Sequence, residues 1–146
     1  MNNLESFLPD KAKKTIVEAI KEAEKNTSGE IRVHIENTTE KPTLERAKEV
    51  FLSLKMNQTQ QQNGVLFYLD VTNKQFAILG DSGINKVVPP DFWEEAKQLV
   101  LEYLSKNQVE KALVSGILKV GEQLKQYFPY QKDDQNELPD DISIGN

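Results

Sequence analysis

A chain of 146 residues with a formal net charge of −5 predicts one domain around a single core. The absence of cysteine excludes a disulfide framework, a thiolate metal site and a cysteine nucleophile. No basic stripe is present to neutralise a phosphate backbone, so nucleic acid is not an expected partner.

Met1 to Lys14 lacks an apolar core after a basic start, which argues against a secretory signal. The longest apolar run, Val65 to Leu69, is too short to span a bilayer. The expectation is a soluble, cytoplasmic protein that does not engage a membrane. Most of the negative charge sits at the end, where Lys132 faces Asp133, Asp134, Glu137, Asp140 and Asp141. Residues 131–146 therefore read as a flexible acidic tail that aids solubility, and residues 1–130 as the domain.

The first element is a helix over about Pro9 to Lys25, with Ala12, Ile16, Ala19, Ile20 and Ala23 on one face. Asn26 to Gly29 stops it. Glu30 to Glu36 alternates strictly, with Ile31, Val33 and Ile35 on one side and Arg32 and His34 on the other. That pattern predicts a strand with one partly wet face, near an edge. Pro42-Thr43 opens a second helix, Thr43 serving as N-cap. Leu44, Ala47, Val50, Phe51 and Leu54 form its buried stripe.

After the polar loop Asn57 to Asn63, the continuously apolar Val65–Leu69 predicts a strand buried on both faces. Asp70 to Lys74 is a turn, and Gln75 to Leu79 returns as the second arm of a hairpin. Asp91 is placed to cap the next helix, with Glu94 completing a box, and Trp93, Ala96, Leu99, Val100 and Tyr103 buried. The last helix carries one apolar stripe from Val109 to Leu124. Gly116 and Gly121 within it permit close packing against a neighbour.

The strand, helix and second strand form a βαβ unit with parallel strands, and the hairpin returns antiparallel. Following those directions brings Ser28-Gly29-Glu30, Asn63-Gly64 and Gly80-Asp81-Ser82-Gly83 to one end of one sheet. Glu30 and Asp81 supply carboxylates there, and the glycines allow close backbone approach. That suits a hard cation or a phosphate group. The same residues also read as an ordinary turn, a strand opening and an exposed strand position. A protease-like triad of His34, Asp70 and Ser82 is rejected, because Asp70 falls at the far end from Ser82. His34, the lone histidine, reads as structural.

The ordered set Thr27-Ser28-Gly29-Glu30-Ile31-Arg32-Val33, Ala47 with Val50-Phe51-Leu52 and Leu54, Asn63-Gly64-Val65-Leu66-Phe67-Tyr68, Phe76-Ala77-Ile78-Leu79-Gly80-Asp81-Ser82-Gly83-Ile84 and Phe92-Trp93 resembles the TPM domain family. The tail Asn136-Glu137-Leu138-Pro139-Asp140-Asp141-Ile142-Ser143 resembles the ending of its stand-alone members. The resemblance covers about residues 10–143. It departs at Gln62, where similar members often carry arginine, and at Lys106-Asn107-Gln108, where a glycine is common.

The resemblance implies a single-domain α/β sandwich, a small mixed sheet with helices packed on it. It also implies divalent-cation binding, of calcium in the first place and magnesium in the second. Carried over by position, Glu30, Asp81, Asp91 and Asn63 become the metal residues. An acid-phosphatase activity is reported for some members. The expected function is a calcium-type binding module, a monomeric accessory to some protein partner with little or no catalysis. The alternative is a metal-dependent phosphomonoester hydrolase. Gln62 weighs against it, because it removes a cation that could hold the phosphate.

Overall fold

A computed structural model describes residues 8–37, 41–130, 138–140 and 142–145. The elements run α1 (Asp10–Glu24), β1 (Glu30–Glu36), α2 (Thr43–Ser53), a 3₁₀ turn (Met56–Gln58), β2 (Gly64–Asp70) and β3 (Gln75–Gly80). They continue as α3 (Ser82–Asn85), α4 (Glu94–Ser105), α5 (Val109–Leu124) and β4 (Ser143–Ile144). The strands make one mixed sheet in the order β3-β2-β1-β4. β1 and β2 are parallel, with Glu30 opposite Gly64; β2 and β3 are antiparallel, with Val65 opposite Gly80. This is a single-domain α/β fold, and the expected strand directions hold.

Side-chain alternation decides the layering. Ile31, Val33 and Ile35 of β1 join Val65, Phe67 and Leu69 of β2 on the face covered by α1, α4 and α5. Leu66 and Tyr68 turn to the other face, where Ala47, Val50 and Phe51 of α2 meet them with Met56 and Leu138. β2 is buried along its whole length because both faces are covered. Gly116 and Gly121 allow the close approaches expected of them. A Cβ on Gly116 would lie 2.5 Å from Val100 Cγ2, and one on Gly121 would lie 2.6 Å from Ala23 Cβ.

Several local expectations are corrected. Pro42, not Thr43, occupies the N-cap of α2, and no side chain caps it. Leu44 is exposed rather than part of the buried stripe. Asp91 lies in the turn before α4; its carbonyl accepts from Glu94 N at 3.1 Å, and its side chain makes no cap. Asp81-Ser82-Gly83 is the start of a short helix with Asp81 as N-cap.

The largest change concerns the tail. Ser143–Ile144 adds a fourth strand, parallel to β1, and Leu138 is buried at 8% exposure, where a loose tail was expected. The rest of that expectation, residues 131–137, 141 and 146, lies outside the described residues. β1 is therefore no longer an edge along His34–Ile35, and its polar face is dry at that end: His34 is 6% and Glu36 1% exposed, while Arg32 is partly exposed.

Candidate cation site

The three clusters do fall at one sheet end. Glu30 opens β1, Gly64 opens β2 beside it, and Asp81 follows β3, its amide donating to Gly64 O at 2.9 Å. Glu30 and Asp81 nevertheless stand on opposite sides of β2, about 10 Å apart at two strand spacings. The space above Gly64 is filled. A Cβ there would meet Met56 O at 3.1 Å and Leu138 Cδ1 at 3.6 Å. Glu30, 4% exposed, turns toward the tail and accepts from Leu138 N at 2.5 Å.

Asn63 is a structural brace. Its Nδ2 donates to Ser28 O at 3.0 Å, and its own carbonyl accepts from Glu30 N at 3.1 Å. Asp91 is exposed and borders a small cleft with Glu94, Gln123 and Tyr127. The four residues expected to bind metal thus share a region without forming one ligand set. Among the described residues, no group of three or more His, Asp or Glu side chains is arranged to hold a metal ion.

Asp81 differs from the other three. One carboxylate oxygen accepts from Ser82 N at 2.7 Å, while Oδ2 is buried and has no hydrogen-bond partner. The loop before β2 presses against the same corner. Gln62 adopts φ 51°, in the left-handed region. A Cβ on Gly83 would lie 2.2 Å from Gln61 O and 2.5 Å from Gln62 O, so only glycine admits these carbonyls. Ser82 Oγ donates to Gln62 Oε1 at 2.7 Å. The corner therefore gathers carboxylate, carbonyl, amide and hydroxyl oxygens, a donor set that fits a hard cation.

The sequence reading missed two further carboxyl groups near Glu30. Glu24 Oε2 accepts from Ile31 N at 2.9 Å. Burial pushes the Glu24 carboxyl up to about 9, helped by a hydrogen bond with Asp140 and by the nearby charge of Glu30. The available signal was the position of Glu24 on the stripe of Ile16 and Ile20, four residues apart.

A second buried polar network lies at the other end of β1. Arg46 Nε donates to Glu36 Oε2 at 2.7 Å and Arg46 Nη2 to Oε1 at 2.9 Å; Tyr68 Oη donates to Oε2 at 2.5 Å. His34 Nε2 lies 2.9 Å from Glu36 Oε1, and His34 Nδ1 lies 2.8 Å from Ser143 Oγ. This hydroxyl, imidazole and carboxylate are sealed by Gly145, where a Cβ would sit 2.7 Å from Glu36 Oε1. The network docks β4 and leaves no space for a substrate. Asp70, the rejected triad member, accepts from Thr72 N and Asn73 N in the hairpin turn.

An open α/β sheet with a polar corner where β2 begins and β3 ends describes a class of small sandwich domains. The TPM domain matches residues 1–123, and the chain belongs to that family. It is similar to the BA42 protein from the psychrophilic bacterium Bizionia argentinensis, known from an NMR structure. Identity is 49%, TM-score 0.93, and the match covers 99% of this chain and 100% of that one.

The fold is also similar to an N-terminal domain from P. gingivalis, at 12% identity and TM-score 0.69, covering 88% and 84% of the two chains. The N-terminal domain of cg2496 from Corynebacterium glutamicum gives 12% identity and TM-score 0.65, covering 98% and 83%. No curated protein matches the chain. No helix among the described residues is long and apolar enough to cross a membrane.

Proposed function

We propose that this chain is a divalent-cation-binding module of the calcium type, with the cation held at the Asp81 corner. The observation that carries the reading is Asp81 Oδ2, a buried carboxylate oxygen without a donor. Such an atom is costly unless an ion or water satisfies it. Asp81 would supply the charge, and Gln61 O, Gln62 O and the Gln62 and Ser82 side chains would supply neutral oxygens. When bound, the cation would tie the loop before β2 to the start of α3. With one carboxylate, the site suits weak to moderate affinity, and the module would act by presenting this corner to a protein partner.

Phosphomonoester hydrolysis is the poorer reading. The position that could carry a phosphate-binding cation holds the neutral Gln62. The test is a calcium and magnesium titration followed by amide shifts. Saturable shifts at residues 61–64 and 81–84 are expected, along with a melting temperature raised by calcium. Asp81→Asn should weaken binding by tenfold or more while keeping the cap to Ser82 N. An isotherm unchanged in that variant would reject the site.

A further inference from the structure

We propose that a second site, at the opposite end of the sheet, binds a single-chain fatty acid as its carboxylate. A cavity of about 560 Å³ opens between the start of α1, the end of β2 and the junction of α4 with α5. That size lies within the ~300–1,000 Å³ typical of small-molecule sites. Leu69, Val71, Leu104 and Val109 give it apolar lining, the first three of them buried.

The rim has the opposite character. Among the described residues that line it, Lys11, Lys74 and Lys111 stand against one acid, Glu110, in a chain whose net charge is −5. Lys11 and Lys111 make no ion pair among the described residues. Lys74 Nζ donates to Asn107 Oδ1 at 2.9 Å across the mouth, and both residues hold left-handed backbone, with φ 54° and 59°. The hairpin turn and the α4–α5 junction are thereby joined at the rim.

The two surfaces together define the ligand. A free inorganic anion would leave the apolar lining wet. A neutral hydrocarbon would leave the lysines unused. An alkyl chain ending in a carboxylate satisfies both, burying its chain by the hydrophobic effect and placing its head among the ammonium groups.

The test titrates the full-length protein with sodium dodecanoate below its micelle concentration and follows amide shifts. Saturable shifts at residues 69–74 and 104–111 are expected. Dodecyltrimethylammonium, with the same tail, and inorganic phosphate should leave them unmoved. Lys11→Glu/Lys111→Glu should weaken dodecanoate by tenfold or more, and Leu104→Trp, which fills the cavity, should block it.

Equal binding of the cationic surfactant would overturn the proposal, as would dodecanoate binding unaffected by the lysine reversals. Shifts of the same amides on dilution alone would assign the groove to a second copy of the chain. Binding to anionic vesicles without binding to dodecanoate would assign it to a membrane surface. None of these residues belongs to the Asp81 corner, so the outcome is independent of the calcium reading.

Discussion

Three titratable side chains, the half-buried Glu24 and the buried Glu36 and His34, make stability depend on pH, and their signs differ. Burial, with Asp140 and Glu30 nearby, raises Glu24 to about 9, so the folded state holds its proton more tightly than the unfolded chain. Its stabilising contribution is complete below about pH 4.5 and is lost as pH rises toward 9. Burial alone would raise Glu36 too, but hydrogen bonds from Arg46, Tyr68 and His34 outweigh it and hold the carboxyl at about 2. That contribution is present above pH 4.5 and fades as pH falls toward 2. Burial lowers His34, so the neutral ring stabilises the fold above about pH 6.5 and that contribution is lost as pH falls below it. Urea denaturation of the parent and of Glu24→Gln between pH 5 and 8.5 checks the first sign. The variant should lose the decline with pH that Glu24 causes, a slope of at most about 1.4 kcal/mol per pH unit. A parallel pair of curves would rule Glu24 out. Arg46→Met strands a buried carboxylate and should cost about 3 kcal/mol by the same measurement. Adding Glu36→Gln to that variant should recover much of the loss.

Among elements, α5 and β4 show what the sequence discloses and what it withholds. Periodicity locates α5, and the glycines announce its close contacts. Gly121→Ala gains about 1 kcal/mol in helix propensity but forces a methyl into Ala23, with its backbone Cα at 3.0 Å. A net loss of about 1–3 kcal/mol in denaturant unfolding is expected, since overpacking against backbone cannot relax cheaply. β4 carries no such periodic signal. Two residues in an acidic tail read as solvent-exposed, because nothing local shows that Ser143 meets His34 or that Leu138 meets Met56. The polar face of β1 was misjudged for the same reason. His34 and Glu36 look wet until Arg46, Tyr68 and Ser143 arrive from elsewhere in the chain. Ser143→Ala should loosen β4, seen as faster exchange of the Gly145 amide, which donates to Ile35 O at 2.8 Å. Exchange unchanged in that variant would mean that backbone pairing alone holds the strand.

For the whole molecule, strand direction carried the sequence reading furthest. It brought Glu30, Gly64 and Asp81 to one sheet end without any contact being known. It could not show that Gly64, Leu138 and Met56 separate the two acids, because that depends on a residue 74 positions beyond Gly64 folding back. The same remoteness governs how the chain assembles. α1 buries its stripe mainly against α5, and Thr27 bridges to Pro129 just beyond it. The first helix therefore lacks its main partner, though not β1, until almost the whole domain has been synthesised. Closing so long a loop is entropically slow, so the opening helix cannot nucleate the fold. Pulse-labelled exchange during refolding should find the β2–β3 hairpin protected first, with α1 and α5 gaining protection together in the final phase.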